Sequence, residues 1–158
     1  SGHMKTLTTF INPFPMNAPL TDKYEVIENE VLEGNNFEGL NVSGSLFSLT
    51  TFRGVTFQSC VFFGSRIENC EFINCRFEDC SFQFTALEHC NFKSSSFAEC
   101  KWDKSPIKGA QFNYCNLDMK TSFYASKEDN KFKGCFSDDD GRDWTVKFRS
   151  ERKRKVAA

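Results

Sequence analysis

From Phe37 onward every fifth residue is large and apolar: Val42, Phe47, Phe52, Phe57, Phe62, Ile67, Phe72, Phe77, Phe82, Leu87, Phe92, Phe97, Trp102, Ile107, Phe112 and Leu117 follow without a gap. Two residues before each stands a second column, mostly small: Ser45, Thr50, Val55, Cys60, Ser65, Cys70, Cys75, Cys80, Thr85, Cys90 and so on to Cys115. Such self-similarity is the mark of a repeat architecture, and it must be settled before any local motif is read. It also accounts for two excesses in the composition, 19 phenylalanines and eight cysteines in 158 residues.

Five is the period of neither regular element. On an α-helix, steps of five rotate successive large residues by about 140° and leave no common buried face. In an unbroken strand an odd step would send alternate large residues to opposite faces. A short extended segment followed by a bend satisfies the pattern. Residues two apart in a strand share a face, so the small and the large residue point inward together and the bend restores the register. The chain is then a coil with flat sides.

A period of twenty sorts the exceptions. The first side is headed by Phe37 and the second by Val42. The third collects the aliphatics, Ile67, Leu87 and Ile107, preceded by the hydroxyls Ser45, Ser65, Thr85 and Ser105, and the fourth is Phe52, Phe72, Phe92 and Phe112. At fifteen the aliphatics scatter. Four sides per coil, stacked at about 4.8 Å, predict four to five turns and a rod roughly 20 Å long filled by Phe ladders.

A large apolar centre, a small residue two before it and often an Asn between them (Asn36, Asn41, Asn91, Asn116) resemble the pentapeptide repeat family. The resemblance covers residues 35 to 120 and extends back toward Ile27 and Leu32. It implies an all-β fold, a right-handed quadrilateral parallel β-helix, with irregular N-terminal and C-terminal caps. The chain departs from the usual pattern in preferring Phe to Leu at the centre and Cys, Ser or Thr to Ala before it.

The remaining segments divide around that solenoid. Residues 1–4 look like a cloning remnant. Residues 5–26 hold Phe10, Ile11, Phe14 and Tyr24 among prolines and suit an N-terminal flank folded over the first coil. The β-helix is expected over 27–120 and a C-terminal cap over 121–148, built on Phe123, Tyr124, Phe132, Phe136, Trp144, Val146 and Phe148, with "KEDNKFKG" and "SDDDGRDW" as exposed turns. A basic tail, 149–158, follows. Open solenoid ends need covering, because their edge strands would otherwise pair with other chains. A monomer is expected, with a dimer through the C-terminal end as the alternative.

Chemistry finds little footing. Zinc requires four ligands converging on a point, whereas Cys70, Cys75 and Cys80 fall on three different sides of one coil; they read as inward packers, reduced in a cytoplasmic protein. No nucleophile motif, phosphate-binding Gly loop or recognisable carboxylate pair is present, so neither a catalytic residue nor a cofactor is expected. Twenty basic against 21 acidic residues argue against direct nucleic-acid binding, and no apolar run is long enough to span a bilayer.

Surface is what remains. Val61, Phe63 and Phe84 on the second side and Ile73 on the fourth form a candidate partner surface, although Phe84 could equally tuck under a flanking segment. Glu38, Glu78, Asp79, Glu99 and Asp118 form a candidate acidic stripe on the first side, opposed mainly by Arg76. The expected role is a rigid protein–protein interaction rod for an unidentified protein partner. The resemblance implies an alternative, a DNA mimic that binds and protects a type II topoisomerase, DNA gyrase or topoisomerase IV, giving quinolone or toxin resistance.

Overall fold

The computed structural model describes residues 26–138. Its strands are two or three residues long, each followed by a bend, and they pair in parallel with partners twenty residues away, as in Ile27↔Phe47, Phe47↔Ile67, Ile67↔Leu87 and Leu87↔Ile107. The third side is a five-stranded sheet running from Val26–Glu28 to Ile107–Lys108, the fourth a six-stranded sheet from Val31–Glu33 to Lys131–Lys133, and the first a five-stranded sheet from Asn36–Glu38 to Asn116–Leu117. The expected four-sided coil of twenty residues per turn is therefore the observed fold, an all-β parallel solenoid.

One repeat shows why the sequence bends as it does. In Cys70-Glu71-Phe72-Ile73-Asn74 the first and third side chains are buried and the second faces solvent. Asn74 takes φ of 52°, a left-handed backbone that turns the chain into the next side. Gly, Asn, Ser and Asp hold most such corners because they tolerate this conformation or lack the Cβ that opposes it.

Within the rod the large residues stack. Along the fourth side Phe52, Phe72, Phe92, Phe112 and Phe132 lie with centroids 4.7, 4.9, 4.9 and 5.3 Å apart and rings within 9° of parallel. Neighbouring columns meet edge to face, as in Phe52–Phe57 at 5.6 Å and Phe72–Phe77 at 5.3 Å. Each such pair contributes about 0.5–1.5 kcal/mol beyond the area it buries.

The second side differs from the other three. It is held by isolated bridges, Asn41↔Val61, Val61↔Ser81 and Ser81↔Lys101, rather than by strands. The cause is local: Ser65 N–H donates to the Phe62 carbonyl at 3.0 Å and Thr85 N–H to that of Phe82 at 3.1 Å, closing a β-turn at the corner leading to the third side.

At the C-terminal end a helix, α1 (Met119–Ser126), interrupts the coil. Asp118 caps it, its carboxylate accepting from Thr121 N–H at 2.8 Å, and Trp102 Nε1 donates to Thr121 Oγ1 at 2.8 Å. The coil then resumes past residue 120. Asn130 and Cys135 take the small inward position, Phe132 joins the fourth-side ladder, and Phe136 bridges to Asn116. "KFK", expected within a turn, is instead the strand Lys131–Lys133, because Phe132 sits in phase with the repeat. Of the expected cap aromatics, Tyr124 and Phe132 pack against the core while Phe123 and Phe136 are exposed. Trp144, Val146, Phe148, the basic tail and the N-terminal flank before Val26 lie outside the described residues.

Candidate interaction surface

The turn that closes the second side carries the most distinctive exposed feature. Phe63 and Phe84, one coil apart, meet edge to face with centroids 5.1 Å apart, and they remain 44% and 45% exposed. Phe84 sits at the third residue of its turn with φ of 58°. The preceding coils place Gly44 and Gly64 at that position, where a positive φ ordinarily selects Gly. Val61 lies half-buried on the same side, in register with Asn41 and Ser81. Lys104, one coil beyond Phe84 in the corner column, places its Nζ 5.9 Å from the Phe84 ring.

Ile73 does not join them. It stands half-buried on the fourth side, opposite the second, between Arg53 and Lys93 in the register of that sheet. A patch uniting Ile73 with Val61, Phe63 and Phe84 is therefore corrected to the three second-side residues, since opposite faces of a solid rod cannot form one surface. Lys104 was within reach of the sequence: it is simply the next member of the column Gly44, Gly64, Phe84.

The acidic stripe is also corrected. Asp118 is only 8% exposed, and its carboxylate is spent on the α1 cap and on Cys100 N–H at 3.0 Å, so it contributes nothing to a surface. Glu38 and Glu78 share an outward row, but Gln58 stands between them and Ala98 follows. Arg76 pairs with Glu78 at 2.8 Å, and Lys101 lies 3.9 Å from Asp79, which also accepts from Ser59 Oγ at 3.0 Å. Glu99 follows Asp79 at the corner. A second acidic row, Glu28, Glu68 and Glu88 on the third side, went unnoticed at the sequence level although the twenty-residue column displays it; Arg66 pairs with Glu68 there.

The small inward column does more than fill space. Cys60, Cys75, Cys80, Cys90, Cys100, Cys115 and Cys135 each direct Sγ to the carbonyl oxygen 23 residues earlier, at 3.2–3.5 Å. Ser65, Ser95 and Ser105 make the same bond through Oγ at 3.0 Å or less, and Thr85 makes it to Phe62. Thiols and hydroxyls, both donors, thus tie most of these corners to the coil before them, whereas Thr50 and Cys70 bond only the carbonyl two residues earlier, and this bonding explains their preference over Ala. Burial raises the Cys70 and Cys75 thiols to about 11, so they stay protonated and inert near neutrality. Cys70, Cys75 and Cys80 each bond a different carbonyl, and among the described residues no group of three or more His, Cys, Asp or Glu could hold a metal. No helix among the described residues is long and apolar enough to cross a membrane.

Fold and pattern together define a solenoid repeat protein. The profile of the pentapeptide repeat region matches residues 50–125, and with the unbroken five-residue period and the four-sided coil it identifies the chain as a member of the pentapeptide repeat family. No match is found among curated proteins. Among solved structures the chain is similar to a pentapeptide repeat protein from the Arabidopsis thaliana thylakoid lumen, with 15% identity over 63% of this chain and 76% of that one and a TM-score of 0.37. It is also similar to Rfr23 of the cyanobacterium Cyanothece 51142, with 11% identity over 72% and 87% and a TM-score of 0.37. QnrB1, a plasmid-mediated fluoroquinolone resistance protein, shares 16% identity over 70% and 74% with a TM-score of 0.34. At such identities these likenesses say nothing of a partner.

Proposed function

We propose that this protein is a non-enzymatic interaction rod that presents the second-side corner, Val61, Phe63 and Phe84, to a protein partner. One observation carries the proposal: a bulky aromatic occupies a left-handed turn position that glycine fills in the two preceding coils, and it is left half in solvent against a second aromatic. The conformation costs about 1–2 kcal/mol for a residue bearing a Cβ, and burial of the ring recovers little of it. Exposed aromatic pairs flanked by a cation are the kind of anchor that interfaces use. The test is capture from the native host with the full chain as bait. Replacing Phe63 and Phe84 by Ser should abolish retention of the partner while the circular dichroism spectrum stays unchanged, and undiminished capture would remove the corner from consideration.

The alternative, imitation of duplex DNA toward gyrase or topoisomerase IV, draws on Glu38, Glu78, Asp79 and Glu99. It is the weaker of the two, because Arg76 and Lys101 interleave with those carboxylates and Asp118 is withdrawn into the interior. A gyrase supercoiling assay with a fluoroquinolone present decides it: protection by micromolar protein would favour mimicry over the aromatic corner.

A further inference from the structure

Every arginine among the described residues has a carboxylate partner: Arg53 pairs with Glu33, Arg66 with Glu68 and Arg76 with Glu78. Three lysines on the fourth side have none. Lys93, Lys131 and Lys133 are exposed on the strands Asn91–Lys93 and Lys131–Lys133 and make no ion pair among the described residues. They stand in two outward rows, Asn91, Gln111 and Lys131 in one and Lys93, Asn113 and Lys133 in the other, and no carboxylate enters either row over those three coils. Lys93 and Lys133 are two coil spacings apart, about 10 Å, and Lys131 and Lys133 two residues apart on one strand, about 7 Å.

Tyr114 marks the same half of this side. Its corner column reads Gly34, Gly54, Asn74, Ser94, Tyr114 and Gly134, all with positive φ, and Tyr114 is the bulky exception at 56°. A left-handed corner opposes any residue with a Cβ. The next coil makes room for the ring: a Cβ at Gly134 would lie 2.5 Å from Tyr114 Cδ1. Even so Tyr114 stays 50% exposed, with Lys133 Nζ 5.8 Å from its ring centroid. A half-exposed tyrosine beside an unpaired ammonium is a combination that protein interfaces favour.

The borders of the face limit the length of anion it can take. Toward the N-terminal end the rows continue into Glu71 and Ile73, and exposed Asp129 stands two residues before Lys131. A nucleic acid, charged at every nucleotide, would run onto those carboxylates, and the 20 basic against 21 acidic residues of the chain supply no surplus to offset them. A segment with two or three carboxylates fits between them.

We propose that the C-terminal half of the fourth side docks a short acidic segment of a protein partner, its carboxylates on Lys93, Lys131 and Lys133 and an apolar side chain between them on the Tyr114 ring. Gln111 and Asn113, on the strand between the lysines, supply amide donors and acceptors for the segment's backbone. This face is distinct from the Phe63–Phe84 corner and stands or falls independently of it.

Fluorescence anisotropy on the full chain tests it, with a labelled Glu-Glu-Phe-Glu-Glu peptide as the probe. The peptide should bind with a Kd below about 1 mM at low salt, and its Gln-Gln-Phe-Gln-Gln counterpart about tenfold more weakly. Lys93→Gln/Lys131→Gln/Lys133→Gln should weaken binding about tenfold, whereas Lys108→Gln/Lys120→Gln/Lys127→Gln, which removes the same charge elsewhere, should leave it within about twofold. Tyr114→Asn, the residue that its column carries at position 74, should weaken it roughly threefold to tenfold without changing its salt dependence. No binding below about 1 mM, equal losses in the two lysine variants, or indifference to Tyr114→Asn would each overturn the proposal. So would a single-stranded oligonucleotide of about twelve residues that bound as tightly as the peptide, since the face would then be a phosphate site.

Discussion

Two pairs of phenylalanines, both in ring contact, stand in different settings. Phe52 and Phe72 stack at 4.7 Å inside the rod, and Phe63 and Phe84 meet at 5.1 Å outside it. The first pair is two residues of one column in successive coils, so the repeat that builds the solenoid also places the rings over each other. The second pair joins adjacent columns at a turn, and the fold asks for neither residue. Ser43, Gln83 and Asp103 stand where Phe63 does in other coils, and Gly44 and Gly64 where Phe84 does. An aromatic that the architecture requires is evidence about stability; one that it merely tolerates is evidence about use.

That contrast can be broken in order of expected size. Phe77→Ala removes a ring stacked on both Phe57 and Phe97 and should cost about 3–5 kcal/mol, measured by chemical unfolding. A loss under about 1 kcal/mol would mean that the ladders do not carry the core. The thiols offer a titration of the same interior. Cys70 and Cys75 ionise near 9 in the unfolded chain and near 11 when folded, because burial disfavours the thiolate. The folded protein therefore retains protons that the unfolded chain has lost. The stability from this source is intact below pH 9 and falls as pH rises toward 11, by roughly 1.4 kcal/mol per pH unit per thiol. Urea unfolding between pH 8 and 11 should show the decline, and the Cys70→Ala/Cys75→Ala variant should make it shallower without abolishing it, because burial also raises the Cys90 and Cys100 thiols.

At the corner the sign should reverse. Phe84→Gly relieves the left-handed strain and should raise stability by about 1 kcal/mol while removing the proposed contact. A destabilised variant would show instead that Phe84 belongs to the packing, as Phe77 does. The smallest effect belongs to the exposed ion pair. Arg76→Ala should change stability by less than about 0.5 kcal/mol, which is typical of a surface pair. If the same substitution, by unmasking Glu78, brought protection of gyrase in the supercoiling assay, the acidic reading of the first side would regain ground.

Much of this was legible in the residues. The five-residue period is local, so inward and outward positions follow from sequence spacing, and the twenty-residue sorting named each column before any contact was seen. Asp118 was misread because its position is outward by period, yet α1 breaks the period one residue later and the carboxylate turns inward to cap it. The separation of Ile73 from Val61 and Phe63 was equally legible, since the column count places it on the fourth side and them on the second. The strand Lys131–Lys133 was hidden behind the charged "KEDN", although Phe132 keeps the phase.

Sequence alone determined the coil, its sides, its aromatic filling and the column to which each side chain belongs, because a short repeat enforces the same geometry at every step. Tertiary structure alone decided what happens where the repeat meets something else: the edge-to-face contact at the second-side turn, the helix that recruits Asp118, and the hydroxyl of Ser45 left without the carbonyl that its column supplies elsewhere. Those contacts depend on distances between coils and on the ends of the rod. A periodic pattern carries no record of either.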